Sequence, residues 1–118
     1  MDANNQNYSS ADGILYDKCK TTLMQYPINK TDPYVVIPDT VVTIGDNAFY
    51  YCRELTSITI PDSVITIGEN AFWYCTNLTS LTIGNGVTTI SDWTFAYCEY
   101  LTSIIIPDSV TTIGDSAF

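Results

Sequence analysis

Apolar and polar positions in this chain recur as a block. The stretch Ile60 to Thr82 reads IPDSVITIGENAFWYCTNLTSLT, and near-copies flank it: IPDTVVTIGDNAFYYCRELTSIT before, IGNGVTTISDWTFAYCEYLTSII after. A fourth copy, IPDSVTTIGDSAF, begins at Ile106 and stops at Phe118. The copies start at Ile37, Ile60, Ile83 and Ile106, so the period is 23 residues, and no insertion breaks it. A fixed period of this length predicts a solenoid in which each unit buries its apolar face against its neighbours.

Within one unit, Leu78, Leu81 and Ile83 have LxxLxL spacing around a short strand near Ser80 to Ile83. Apolar and polar residues alternate there, which predicts one buried and one exposed face. Stacked copies set these strands side by side in parallel, about 4.8 Å apart. Pro61-Asp62 is a turn that ends the strand. Val64 and Ile67 point inward from a second extended piece, and Gly68 permits a bend. Asp46, Glu69, Asp92 and Asp115 share one register and are expected to cap short helical or 3-10 turns. Ala71, Phe72 and Cys75 face inward from such a turn, and Phe49, Phe72, Phe95 and Phe118 should form a buried aromatic spine. The third copy departs from its neighbours: Gly84-Asn85-Gly86 replaces the Pro-Asp turn, Ser91 replaces glycine, and Trp93-Thr94 replaces Asn-Ala. Local differences are expected in that coil.

Before the repeats, residues 1–11 read as a disordered leader, rich in Asn and Ser. Residues 12–36 read as a hairpin and loop. Asp12-Gly13 marks a turn, Ile14 to Tyr16 and Thr21 to Tyr26 are β-prone, and Pro27 ends the second run. The hairpin is placed to cover the first coil of the array, whose open end would expose apolar surface and unpaired strand edges; the alternative is an unrelated flexible segment. Residues 37–118 are the array itself: repeats 37–59, 60–82 and 83–105, and a partial repeat 106–118.

Composition narrows the chemistry. Four Lys+Arg against 13 Asp+Glu give a net charge of −9 over 118 residues. Such a surface argues against nucleic acid and anionic membrane as partners. No apolar run approaches a membrane span, and no signal peptide is visible in MDANNQNYSS. Histidine is absent, which removes the commonest general base and metal ligand. Cys52, Cys75 and Cys98 fall one period apart, a repeat position read as buried free thiols rather than a metal pair; Cys19 lies outside the repeats. Two acidic ladders run along the array, Asp39, Asp62 and Asp108, and Asp46, Glu69, Asp92 and Asp115. Local roles in turns and caps are the favoured reading over a bound cation, so no metal, cofactor or catalytic residue is assigned. Asn7, Asn29 and Asn77 each head an N-x-S/T triplet, which matters only on a eukaryotic secretory route.

The pattern IPxxVxxIGxxAFxxCxxLxxI resembles the BspA-like, Treponema-type leucine-rich repeats from Ile37 to Phe118, and DGILYDKCKTTLMQYP looks like the capping segment that often precedes such arrays. The resemblance implies a leucine-rich repeat solenoid, mostly β with short helical or 3-10 turns. It also implies a cell-surface or secreted protein without catalytic activity that binds host or microbial proteins. It carries over no binding residue.

Two surfaces are candidates for a protein partner. One is the exposed strand face, with Ser57, Thr59, Ser80, Thr82, Ser103 and Ile105. The other is an aromatic ridge that includes Tyr51, Tyr74, Tyr97 and Tyr100, in which Tyr50, Trp73 and Trp93 are expected to be the most exposed. Binding energy concentrates in such aromatics rather than in small hydroxyls. A different class of function, self-association into a dimer or filament, is suggested by the halt in mid-repeat, which leaves Ile104, Ile106, Val110, Ile113 and Phe118 at an open edge; a fragment of a longer array would end the same way.

Overall fold

The structure, a computed structural model, describes residues 8–11, 13–28 and 31–118. It is a mostly-β solenoid of about four coils. The strands in chain order are β1 (Tyr8–Ala11), β2 (Ile14–Asp17), β3 (Thr22–Gln25), β4 (Tyr34–Val36), β5 (Thr43–Ile44), β6 (Ser57–Ile60), β7 (Thr66–Ile67), β8 (Ser80–Ile83), β9 (Thr89–Ile90), β10 (Ser103–Ile105) and β11 (Thr112–Ile113). They form two sheets, one ordered β1-β2-β3-β5-β7-β9-β11 and the other β10-β8-β6-β4. Within the repeats all pairing is parallel and in register: Ser57 lies beside Ser80 and Ser80 beside Ser103, Thr66 beside Thr89 and Thr89 beside Thr112. The 23-residue period is therefore one turn of the solenoid.

The hairpin β2–β3 is present, with a register shift between Leu15 and Tyr16. Strand β3 then pairs in parallel with β5, so the hairpin continues the seven-stranded sheet past the first coil. Two expectations change here. Tyr8–Ala11, assigned to a disordered leader, forms β1 and pairs antiparallel with β2; the alternation of β1 is too short to register as a strand until β2 offers its edge. The four-stranded sheet is not extended by the hairpin and ends at β4.

The other correction concerns the short helical turns. No helix occurs among the described residues. After each bend the backbone reverses hand twice, at Asn47 (φ 60°) and Tyr51 (φ 64°), at Asn70 (55°) and Tyr74 (61°), and at Trp93 (60°) and Tyr97 (59°). Left-handed residues four apart interrupt any helix. The N–H groups then alternate between two destinations. Those of Ala48, Tyr50 and Cys52 bond locally to the carbonyls of Gly45, Asn47 and Phe49 at 3.1–3.2 Å. Those of Asn47, Phe49 and Tyr51 bond to Glu69, Ala71 and Trp73 of the next coil at 2.7–2.9 Å. The whole coil is thus tied to its neighbour, not only the strands.

Of the acidic residues expected to cap helices, Asp46 and Asp92 accept backbone N–H groups across coils instead, and the turn residue Asp62 does the same. Asp46 Oδ1 accepts from Glu69 at 2.8 Å, Asp62 Oδ1 from Asn85 at 2.8 Å and Asp92 Oδ1 from Asp115 at 2.7 Å. This explains a glycine. A Cβ on Gly68 would strike Asp46 Oδ1, and would sit 2.6 Å from the Asp46 nitrogen and 2.8 Å from the Gly45 carbon. Gly114 meets Asp92 in the same way. Where the lower residue is Glu69, the residue above is Ser91, and its bond to the Ile67 carbonyl stretches to 3.3 Å, against 2.8 Å for Gly68 to Ile44 and 2.7 Å for Gly114 to Ile90. The third coil keeps its register and accommodates the extra side chain by opening there. Its other departure, Thr94 in place of alanine, is fully buried and donates its hydroxyl to the carbonyls of Ser91 at 2.7 Å and Gly68 at 3.2 Å.

The core is a strip. Val64, Ile67, Ala71, Phe72, Cys75 and Leu78 are fully buried, as are their counterparts Val41, Ile44, Ala48 and Phe49. The Phe spine is a continuous stack, with ring centroids 4.8 Å apart from Phe49 to Phe72, 5.1 Å from Phe72 to Phe95 and 5.3 Å from Phe95 to Phe118. Tyr26 heads it, 5.0 Å from Phe49. Phe118, expected to be buried, is 50% exposed because no coil lies above it in this chain. Cysteine recurs because its thiol is small and donates inward: Cys75 to the Phe49 carbonyl at 3.1 Å and Cys98 to Phe72 at 3.2 Å. All four cysteines are free.

Three measurable consequences follow from this packing. Gly68→Ala should cost roughly 1–3 kcal/mol of stability through overpacking, and Gly45→Ala less, since its new Cβ would approach nothing nearer than the Leu23 oxygen at 3.3 Å; equal losses in urea unfolding would show that the contact is not the cause. Burial pushes the Cys52 thiol up to about 12, and the neighbouring Cys98 thiol together with burial pushes Cys75 up as well. A thiol reagent at pH 8 should label exposed Cys19 first and leave Cys52 and Cys75 unmodified until the chain unfolds; a single rate for all four would contradict the packing. In the hairpin turn, Asp17 accepts from the Thr21 hydroxyl and from the backbone N–H groups of Thr21 at 2.6 Å and Thr22 at 3.0 Å, and these bonds hold its carboxyl below the ordinary 3.8. A depressed folded-state value means that the contribution is full above the unfolded pKa and fades as pH falls through the folded one. The Thr21 and Thr22 amide resonances should therefore titrate together below pH 3.8, and Asp17→Asn should abolish that titration.

Candidate functional site

The outer side of the four-stranded sheet is built by alternation. Ile58, Ile60, Leu81 and Ile83 turn inward and are buried, which forces Ser57, Thr59, Ser80 and Thr82 outward. Register aligns these into two rows, Tyr34–Ser57–Ser80–Ser103 and Val36–Thr59–Thr82–Ile105. Thr59, Ser80 and Thr82 are exposed and Ser57 is half-buried. The centre of the face is thus small and hydroxylated, as expected. Its ends are apolar: Val36 is 87% exposed, Tyr34 67% and Ile105 81%. Tyr34 and Val36, at the end of the segment 12–36 ahead of the repeats, were not among the expected surface residues. Their place one period before Ser57 and Thr59 was the available signal. Threonines beside the face stitch coils together, with Thr56 donating to the Pro33 carbonyl at 3.2 Å and Thr79 to Thr56 at 3.3 Å.

The aromatic ridge is a packed cluster on a different side. Tyr50 stacks on Trp73 with centroids 4.8 Å apart and 6° between planes, and Tyr51 stacks on Tyr74 at 4.9 Å. Tyr97 meets Trp73 edge-on at 5.5 Å. Tyr50 and Trp73 were expected to be among the most exposed rings; both are half-buried, because each covers the other across the coil boundary. Trp93 is 43% exposed, and Tyr97 and Tyr100 are more exposed still.

The residues named for an open edge lie together at the last coil. Ile106, Ile113 and Phe118 are exposed, Ile104 and Val110 half-buried. Phe95, Cys98, Leu101, Ile104, Ile106 and Phe118 line an apolar cleft of about 300 Å³, between the edge strands β10 and β11.

Chemistry-bearing groups do not converge. Asp46, Asp62 and Asp92 of the two ladders are spent on backbone N–H groups, and among the described residues no set of three or more His, Cys, Asp or Glu could hold a metal ion. Asn77, the one triplet asparagine within the described residues, donates to the Arg53 carbonyl at 2.7 Å; Asn7 and Asn29 lie outside them. No helix among the described residues is long and apolar enough to cross a membrane.

The solved structures this fold resembles are bacterial repeat proteins. A leucine-rich cell surface protein from Faecalibacterium prausnitzii A2-165 matches with a TM-score of 0.91 and 36% identity, over 98% of this chain and 31% of that one. The pneumococcal vaccine antigen PcpA matches with a TM-score of 0.91 and 27% identity, over 96% of this chain and 28% of that one. A leucine-rich repeat protein from Bacteroides capillosus ATCC 29799 matches with a TM-score of 0.83 and 30% identity, over 91% of this chain and 87% of that one. The chain spans less than a third of the length of the first two. No curated protein matches its sequence. The model of the BspA type leucine rich repeat region matches residues 28–118 in 6 copies, and the chain belongs to that family.

Proposed function

We propose that this chain is a non-enzymatic recognition module of a cell-surface, adhesin-type protein, and that it presents the outer face of β4-β6-β8-β10 to a protein partner. The observation that carries this reading is the face itself. It is uncovered, set in register by four parallel strands, hydroxylated at its centre and apolar at both ends through Tyr34, Val36 and Ile105. A polar field with exposed apolar anchors is the composition of a protein-binding surface, and Tyr34 supplies a residue type in which binding energy concentrates. The likeness to the leucine-rich cell surface protein of Faecalibacterium prausnitzii supports the reading. Surface plasmon resonance against purified extracellular-matrix and plasma proteins tests it. Saturable binding to one of them is expected, with Thr59→Arg plus Thr82→Arg lowering affinity at least tenfold at unchanged melting temperature. Binding unaffected by that pair would remove this face from the interaction.

A second reading is self-association through the last coil. The apolar cleft lined by Phe95, Leu101, Ile104 and Phe118, flanked by two strand edges, favours it. Light scattering over a hundredfold range of concentration separates the two. The recognition reading expects a constant monomer mass, and assembly dissolved by Ile104→Lys would establish the second.

A further inference from the structure

Each coil carries one left-handed residue just after its bend: Asn47, Asn70, Trp93 and Ser116, with φ of 60°, 55°, 60° and 52°. Asparagine suits this place, since its short amide tolerates the left-handed region. Trp93 does not. A bulky ring there is strained, it is 43% exposed, and it enters none of the ring stacks that hold Tyr50, Tyr51, Trp73, Tyr74 and Tyr97. A strained, exposed ring that joins no stack points to a contact outside the chain.

The residues one and two coils below Trp93 in the same row are Asn70 and Asn47. With Gln25, Ile28 and Tyr50 they line a shallow cleft of about 580 Å³. The side-chain amides of Asn47 and Asn70 make no hydrogen bond within the described residues. Each has two donors and an acceptor to offer. The Tyr50 ring is held rigid by its stack on Trp73. None of the five lining residues is charged, and the exposed acids Asp46 and Glu69 stand next to the two asparagines in sequence.

This chemistry selects a ligand. Free amides that both donate and accept suit neighbouring hydroxyls, and aromatic faces suit an apolar C–H surface. Acids at the margin disfavour an anion. A pyranose ring has both hydroxyls and C–H faces. The row also has the right repeat, because coils about 4.8 Å apart step at close to the length of one sugar in an extended glycan. We propose that the cleft formed by Gln25, Ile28, Asn47, Tyr50 and Asn70, continued by Trp93, binds an uncharged extended polysaccharide with one sugar per coil. This site lies apart from the outer face of β4-β6-β8-β10, so it stands or falls independently of the protein-recognition reading.

Native affinity electrophoresis of the 118-residue chain tests it, in gels holding soluble β-glucan, xylan, galactomannan or xyloglucan, with polygalacturonate as the anionic control. Retardation by at least one neutral polysaccharide is expected, and none by polygalacturonate. Two variants preserve the backbone: Trp93→Asn installs the residue that the first two coils carry, and Asn70→Gly keeps the left-handed conformation while removing the amide. Each should weaken binding at least fivefold with the thermal transition retained. Trp73 and Trp93 are the only tryptophans, so fluorescence titration with the retarding polysaccharide reads the same site, and Trp93→Asn should remove most of its signal change. Free migration in all four neutral gels overturns the proposal, as does retardation by polygalacturonate, or retardation unchanged in both variants.

Discussion

Neighbouring coils of this protein are held together by backbone hydrogen bonds, and the rest of the structure depends on that ladder. A strand of two residues, such as Thr66–Ile67, has no stability of its own. It exists because Ile65 and Gly68 donate to Val42 and Ile44 below, and Thr88 and Ser91 donate to Ile65 and Ile67 from above. On the turn-rich side the direction reverses, and lower coils donate upward, Phe49 to Ala71 and Phe72 to Thr94. Backbone groups are thus bonded between coils on both the strand side and the turn-rich side, which is what a narrow core requires.

The ladder then dictates side chains. Coils packed at strand spacing leave no room above an aspartate that accepts the next coil's N–H, so glycine stands over Asp46 and Asp92. Threonine hydroxyls and cysteine thiols donate to carbonyls one coil down, which is why small polar residues recur at positions that would otherwise be apolar. Aromatic rings at equal register meet across coils, face to face in the Phe spine and tilted by 39° between Tyr74 and Tyr97. Repetition is a packing solution first.

Large exposed side chains stand where the array departs from itself. Trp93 stands among asparagines, Ile105 ends a row of threonines, and Val36 begins it. Their backbones pair with neighbouring coils like the rest of the array, and their side chains are exposed. The chain offers two chemically distinct surfaces: a flat sheet face with apolar ends and an amide-lined cleft beside rigid rings.

The period, the inward positions Val64, Ile67, Phe72 and Leu78, the parallel register and the placement of the hairpin were all legible in the sequence, because each is written in spacing within one unit and repeated. The tertiary structure alone decided the rest. Whether a helix follows the bend depends on carbonyls of the next coil, which draw off alternate N–H groups at Asn47, Phe49 and Tyr51. The acceptor role of Asp46, the shielding of Trp73 by Tyr50 and the capture of Tyr8–Ala11 by β2 likewise belong to contacts between segments. Local sequence specifies which residues one coil turns inward; what its backbone and outward side chains meet is set by the neighbouring coil, and only stacking brings that neighbour within hydrogen-bonding distance.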